Sequence, residues 1–128
     1  MPLYRQEKDW ERFGVQLSRA TLANWIIYIA THWLTPLWEQ MKAQLLKSEV
    51  ILADETVVQV LKEPGKTPQS DSRMWVYSSG CGPPIILFEY QPTRAGEHAR
   101  RFLEGAPPGF FLLTDGYQGY KSVVGAVQ

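Results

Sequence analysis

Apolar positions recur at helical spacing up to about residue 48 and give way after it to short β-branched runs. Leu3 to Phe13 places Leu3, Trp10 and Phe13 on one side with charges between them, and Gly14 follows as a helix-ending residue. Ser18 suits an N-cap, and Arg19 to Ala30 then reads as a second helix carrying Leu22, Trp25, Ile26 and Ile29. Thr35-Pro36 reads as the cap and first turn of a third helix, with Leu37, Met41 and Leu45 on one face and an end near Ser48.

Beyond that point the period changes. Val50 to Leu61 is rich in β-branched residues and apolar on both faces, which predicts a central strand buried on both sides. Lys62 to Ser72 carries Pro64, Gly65 and Pro68 and predicts a long exposed hairpin loop. Further strands are expected at Arg73 to Ser79 and Ile85 to Gln91, separated by the Gly80 to Pro84 turn. Ala95 to Glu104 is an amphipathic helix with Ala95, Ala99, Phe102 and Leu103 inward. A fourth strand, Phe110 to Thr114, follows the linker Ala106-Pro107-Pro108-Gly109. The expected class is α+β, with a helical region at 1–48 and a β-β-β-α-β sheet region at 49–128. Three strands can form a meander, and the helical crossover lets the fourth return parallel to a strand already in the sheet. If it lies beside the first strand, the middle of that strand and the end of the fourth are neighbours.

Composition narrows the class. Hydrophobic residues at 45% and charged residues at 20% describe a globular chain and argue against disorder. Lys plus Arg and Asp plus Glu balance at 13 each, which counts against strong DNA binding by a basic surface alone. Cys81 is the single cysteine, so neither an intrachain disulfide nor a Cys-based zinc cluster can form, and its Gly-Pro turn offers no basic partner for thiol chemistry. The first residues do not resemble a signal peptide, and the apolar stretch Leu22 to Leu37 is interrupted by Asn24, Thr31 and His32. The expected location is the cytoplasm, in association with the bacterial nucleoid, with no membrane partner.

Two aspartates carry the candidate chemistry. Asp54 lies inside Val-Ile-Leu-Ala-Asp-Glu-Thr-Val-Val and shares a face with Leu52, Thr56 and Val58. In a strand buried on both sides, an unpaired carboxylate costs several kcal/mol unless a cation or donors compensate it. An ion pair at a strand bend and a metal ligand are both open readings. Asp115 ends the run Phe-Phe-Leu-Leu-Thr just before Gly116, where an Asp-Gly turn is the plain alternative. Together on adjacent strands, the two carboxylates can bridge divalent cations, and oxygen-only ligation suits Mg2+ or Mn2+. Glu55 is expected to face the other side of its strand. At the front, the first two helices and the turn between them are compatible with a helix-turn-helix presenting Arg19, Thr21 and Asn24 to double-stranded DNA, or with an ordinary helical hairpin. Lys62, Lys66 and Arg73 are candidate DNA-backbone contacts beside a plain solvated loop. His98, Arg100 and Arg101 are expected to be exposed or structural, and His32 to be a packed core or boundary residue.

Several separated blocks resemble the central domain of the insertion-sequence 66 family of transposases. They include Leu52-Ala53-Asp54-Glu55-Thr56-Val57-Val58, Met74-Trp75-Val76-Tyr77, Phe88-Glu89-Tyr90-Gln91-Pro92, Gly96-Glu97-His98-Ala99-Arg100 and Thr114-Asp115-Gly116-Tyr117-Gln118-Gly119-Tyr120. The resemblance implies an RNase H-like catalytic domain of the DDE type, acting in DNA strand cleavage and transfer during transposition. It implies that Asp54 and Asp115 are the first and second acidic ligands of a two-metal Mg2+ or Mn2+ site, and that a Glu further downstream is the third. No Glu follows Asp115 in this sequence, nor does the family's cysteine-based zinc module precede it. The expectation is therefore a truncated fragment, inactive alone, with a second copy of the chain as a candidate partner. The alternative of another class is a non-catalytic DNA-binding or assembly remnant.

Overall fold

The structure, a computed structural model, describes residues 1–127. It comprises two compact units, Met1–Gln40 and Met41–Gln128.

In the first unit, α1 (Leu3–Arg12) ends at Phe13, and Gly14 takes the left-handed backbone (φ 77°) that glycine adopts without steric cost. Ser18 caps α2 (Arg19–Ile29), its hydroxyl accepting from the Thr21 amide at 3.1 Å. Leu22 is the buried residue of α2. Thr35-Pro36 does not open a separate helix. Helical backbone continues from α2 through a π-helical segment, Ala30–Leu34, into α3 (Thr35–Leu45). The physical reason is Pro36: it lacks an N–H and its ring crowds the carbonyl four residues back, and a widened turn relieves both. Thr35 stays helical (φ −61°, ψ −49°), and its hydroxyl donates to the Ala30 carbonyl at 2.9 Å. His32 is exposed, contrary to expectation, with its ring stacked on Tyr28 at 4.1 Å.

The second unit is a four-stranded mixed sheet in the order β3-β2-β1-β4. Strands β1 (Val50–Gln59), β2 (Asp71–Ser79) and β3 (Ile86–Gln91) form the antiparallel meander. The crossover helix α4 (Gly96–Phe102) then returns the chain to β4 (Phe111–Leu113), which runs parallel to β1 with Leu52 opposite Leu113. A 3-10 turn, Gln118–Ser122, follows.

The core lies on one face of the sheet. Ile51, Ala53, Trp75, Tyr77, Leu87 and Leu112 are buried there together with Ala99, Phe102, Leu103 and Tyr120. Tyr77 and Phe102 stack with centroids 3.6 Å apart, and Tyr120 meets Trp75 edge-on at 5.7 Å. Leu45, at the end of α3, is fully buried. The other face is open among the described residues: Phe88 is 60% exposed, Phe111 53%, and Leu52, Ile86 and Leu113 are also exposed. The expectation of a first strand buried on both sides is therefore corrected. Its β-branched run reports strand propensity rather than two covering layers, since among the described residues α4 lies on one face and the other face is exposed. Ala95, expected inward, is the exposed N-cap of α4.

Candidate metal centre

Alternation in β1 puts Ile51, Ala53 and Glu55 on the helix-covered face and Leu52, Asp54 and Thr56 on the open one. Asp54 is exposed, and its Oδ1 accepts from the Glu55 amide at 2.8 Å. The desolvation argument made for it does not apply, because no layer covers its face. Asp115 lies two residues beyond Leu113, as Asp54 lies two beyond Leu52, and Leu52 and Leu113 are partners in the parallel ladder. Both aspartates thus continue one register, Asp54 in the middle of β1 and Asp115 just past the end of β4. They line a single open depression of about 370 Å³ with Leu52, Val76, Ser78, Leu113 and Thr114.

The Asp115 turn is closely determined. Its Oδ1 accepts from the Tyr117 amide at 3.0 Å, and the Thr114 hydroxyl accepts from the Gly116 amide at 3.2 Å. Gly116 has a φ of 84°, as an Asp-Gly turn requires. The turn reading and the ligand reading are compatible, because the second carboxylate oxygen of Asp115 approaches Arg94 Nη2 at 3.8 Å, beyond hydrogen-bond distance.

Glu55 supplies what the sequence did not single out. Its side chain has no exposure. Oε1 accepts from Arg94 Nε at 2.5 Å, and Oε2 accepts from the Tyr120 hydroxyl at 2.7 Å. Arg94 also lies 4.0 Å from the centre of the Tyr117 ring, and the Tyr117 hydroxyl donates to the Arg94 carbonyl at 2.7 Å. The hydrogen bond that Arg94 donates to Glu55 raises the guanidinium above its already high pKa. Burial, then the Glu55 hydrogen bond, pushes the Tyr120 phenol well above its ordinary value. The signal was present: a second carboxylate in the same apolar run, on the face opposite Asp54, needs a cation.

Of the six candidate DNA contacts, Arg19, Thr21 and Asn24 lie in the first unit and Lys62, Lys66 and Arg73 in the second. Arg19 pairs with Glu7 at 2.8 Å, and its guanidinium lies 5.4 Å from the centre of the Tyr4 ring. The Thr21 hydroxyl bonds the Ser18 hydroxyl at 3.0 Å, and Asn24 is exposed. Lys62 is exposed and Arg73 half-buried. Lys66 turns its ammonium inward to Glu63, the Ser72 hydroxyl and the Pro92 carbonyl, so the loop is latched rather than open. The Ser72 hydroxyl, donating to Glu63 at 2.5 Å, is the first cause holding that carboxyl below its usual range.

The donor set fits a hard divalent cation: two accessible carboxylates, with no sulfur or imidazole beside them. No group of three or more His, Cys, Asp or Glu among the described residues could hold a metal ion.

A helical segment followed by a four-stranded mixed sheet defines an α+β protein. The family is specific: the chain belongs to the transposase IS66 family, whose profile matches residues 1–128. It is similar to the uncharacterized protein y4qI of Sinorhizobium fredii, with 29% identity over 98% of this chain and 24% of that protein. It is also similar to y4jD of the same organism, with 30% identity over 96% of this chain and 24% of that protein. The chain thus spans about a quarter of the length of the curated relatives it matches. No solved structure matches it.

Proposed function

We propose that this chain provides the first two carboxylate ligands, Asp54 and Asp115, of a divalent-metal site in a DDE-type transposase that cleaves and transfers DNA strands. The observation that carries this reading is the shared register of Asp54, in the middle of β1, and Asp115, just past the end of β4, bordering one depression. The hairpin meander with β4 returning parallel to β1 agrees with the RNase H-like sheet that the family resemblance implies.

In this reading Asp54 and Asp115 hold Mg2+ or Mn2+ by oxygen ligation alone. A cation bound there supplies charge neutralisation at a phosphodiester and activation of an attacking oxygen. The chain's own part is to fix two carboxylates on neighbouring strands and to leave the phosphate side open. The remaining ligands, including an acidic third, come from outside this pair. By itself the chain is then inactive in strand cleavage. Arg19, Thr21, Asn24, Lys62, Lys66 and Arg73 are the proposed contacts to double-stranded DNA, of which exposed Lys62 and Asn24 need no rearrangement.

The test is a thermal-shift titration with MnCl2. A saturable rise in Tm that disappears in both Asp54→Asn and Asp115→Asn supports the site, since a ligand binding only the folded state stabilises it. Equal stabilisation of all three proteins contradicts it.

A second reading, a non-catalytic assembly piece, is favoured by the open apolar sheet face of Leu52, Ile86, Phe88, Phe111 and Leu113. Concentration-dependent association without any metal response supports that reading instead.

A further inference from the structure

We propose that Arg94 is the positioning residue for Asp115, and that Glu55, buried beneath the same strand that displays Asp54, is the anchor that fixes Arg94. The metal arm of this proposal rests on the reading of Asp54 and Asp115 given above. The positioning arm does not.

The geometry forms a closed circuit. Glu55 leaves β1 on the face opposite Asp54 and binds the guanidinium of Arg94, which lies between β3 and α4. The same guanidinium approaches Asp115 Oδ2 at 3.8 Å. It also covers the ring of Tyr117, whose backbone amide donates to Asp115 Oδ1 and whose hydroxyl donates back to the Arg94 carbonyl. Asp115 is thereby contacted at both oxygens, by a hydrogen bond at Oδ1 and a longer ion pair at Oδ2, and each contact leads to Arg94. Behind the circuit the approach is tight: a Cβ at Gly96 would lie 2.2 Å from the Gly119 carbonyl oxygen, and one at Gly119 would lie 2.2 Å from the Tyr117 ring. The turn bearing Asp115 is pressed onto the start of α4 next to Arg94.

Only arginine meets these demands at once. Its planar fork can serve two carboxylates from different edges while its face lies on an aromatic ring, whereas a lysine ammonium is a point charge. Glu55 also offsets the guanidinium charge, so Arg94 can stand beside Asp115 without leaving a net positive charge against an incoming cation. In effect, β1 presents one carboxylate to the open face and, one residue later, uses another to set its partner's position.

The test uses a charge-preserving change, because deleting the cation would alter metal affinity by simple electrostatics. Arg94→Lys is compared with the unchanged chain, Tyr117→Phe and Asp54→Asn. Two quantities are read: hydrogen exchange of the Tyr117 amide in metal-free buffer, and Mn2+ affinity by calorimetry. The expected result is faster Tyr117 exchange in Arg94→Lys, with Ala53 and Val76 amides unchanged. Mn2+ affinity is expected to fall about tenfold, the range seen when a group orienting a metal ligand is lost. Tyr117→Phe moves both quantities the same way by less, and carries the test if Arg94→Lys loses protection throughout the sheet. Asp54→Asn weakens Mn2+ without changing Tyr117 exchange. Unchanged Tyr117 exchange in both Arg94→Lys and Tyr117→Phe overturns the proposal. If no protein binds Mn2+, the metal reading fails, and the exchange result alone decides whether Arg94 positions Asp115.

Discussion

Asp54 and Glu55 are consecutive in β1 and stand on opposite faces of the sheet, one exposed and the other with its side chain wholly buried. The buried one is structural and already compensated. The exposed one forms no ion pair among the described residues. This division makes separate predictions for the two carboxylates.

Removing the Tyr120 hydroxyl leaves Glu55 with an unfilled acceptor in a buried site. Tyr120→Phe is expected to cost about 1–3 kcal/mol, the penalty for stranding one partner of a buried hydrogen bond. Urea unfolding measures it. A loss below about 0.5 kcal/mol would show that Arg94 alone satisfies Glu55.

The close approach of Gly96 to Gly119 predicts a second loss. Gly96→Ala forces the start of α4 and the Asp115 turn apart, with a cost of about 1–3 kcal/mol, as for overpacking elsewhere. Unfolding midpoints at matched m-values check this. Stability equal to that of the unchanged chain would mean the contact is not maintained.

His98 predicts a pH dependence. Its Nε2 bonds the Thr93 hydroxyl at 2.7 Å, and its Nδ1 is buried without a partner. Burial, then the Arg101 charge, lowers its pKa below the ordinary value, against the opposing pull of Glu89 and Glu97. The folded state therefore binds fewer protons than the unfolded chain. Stability is full above the unfolded pKa of about 6.5 and is lost as pH falls through that value toward the lower folded one. Tm is expected to drop between pH 7.5 and 5.5, and to drop less in His98→Gln. Identical pH profiles would remove His98 as the cause.

The open sheet face predicts self-association. Phe88→Lys is expected to reduce concentration-dependent sedimentation while changing stability by less than about 0.5 kcal/mol, because Phe88 is 60% exposed. A large stability loss would show that Phe88 is buried in the folded protein.

Much of this was legible in the pattern of residues, for local reasons. Ser18 announces the start of α2 because its hydroxyl caps the Thr21 amide, and Gly14 marks a stop because a left-handed residue is needed there. The meander and the parallel return of β4 follow from connection lengths and from a helix between β3 and β4. The Thr35-Pro36 pair misled because a proline inside a continuing helix can be absorbed by a π turn, an outcome that no local signal separates from a fresh start. The number of covered sheet faces was not legible either, since Val and Ile favour strands whether or not a second layer exists. As a result the buried-carboxylate argument was directed at Asp54 when it describes Glu55. Arg94, the cation that argument called for, lies 39 residues away in sequence and meets Glu55 only through the crossover.

The central claim is that Asp54 and Asp115 act together on one divalent cation. Isothermal titration of Mn2+ into the chain and its two single variants tests it most directly. Saturable binding that weakens at least about tenfold in Asp54→Asn and equally in Asp115→Asn is the predicted result, since each removes one anionic ligand from a shared site. Binding that is unchanged in either variant would contradict it.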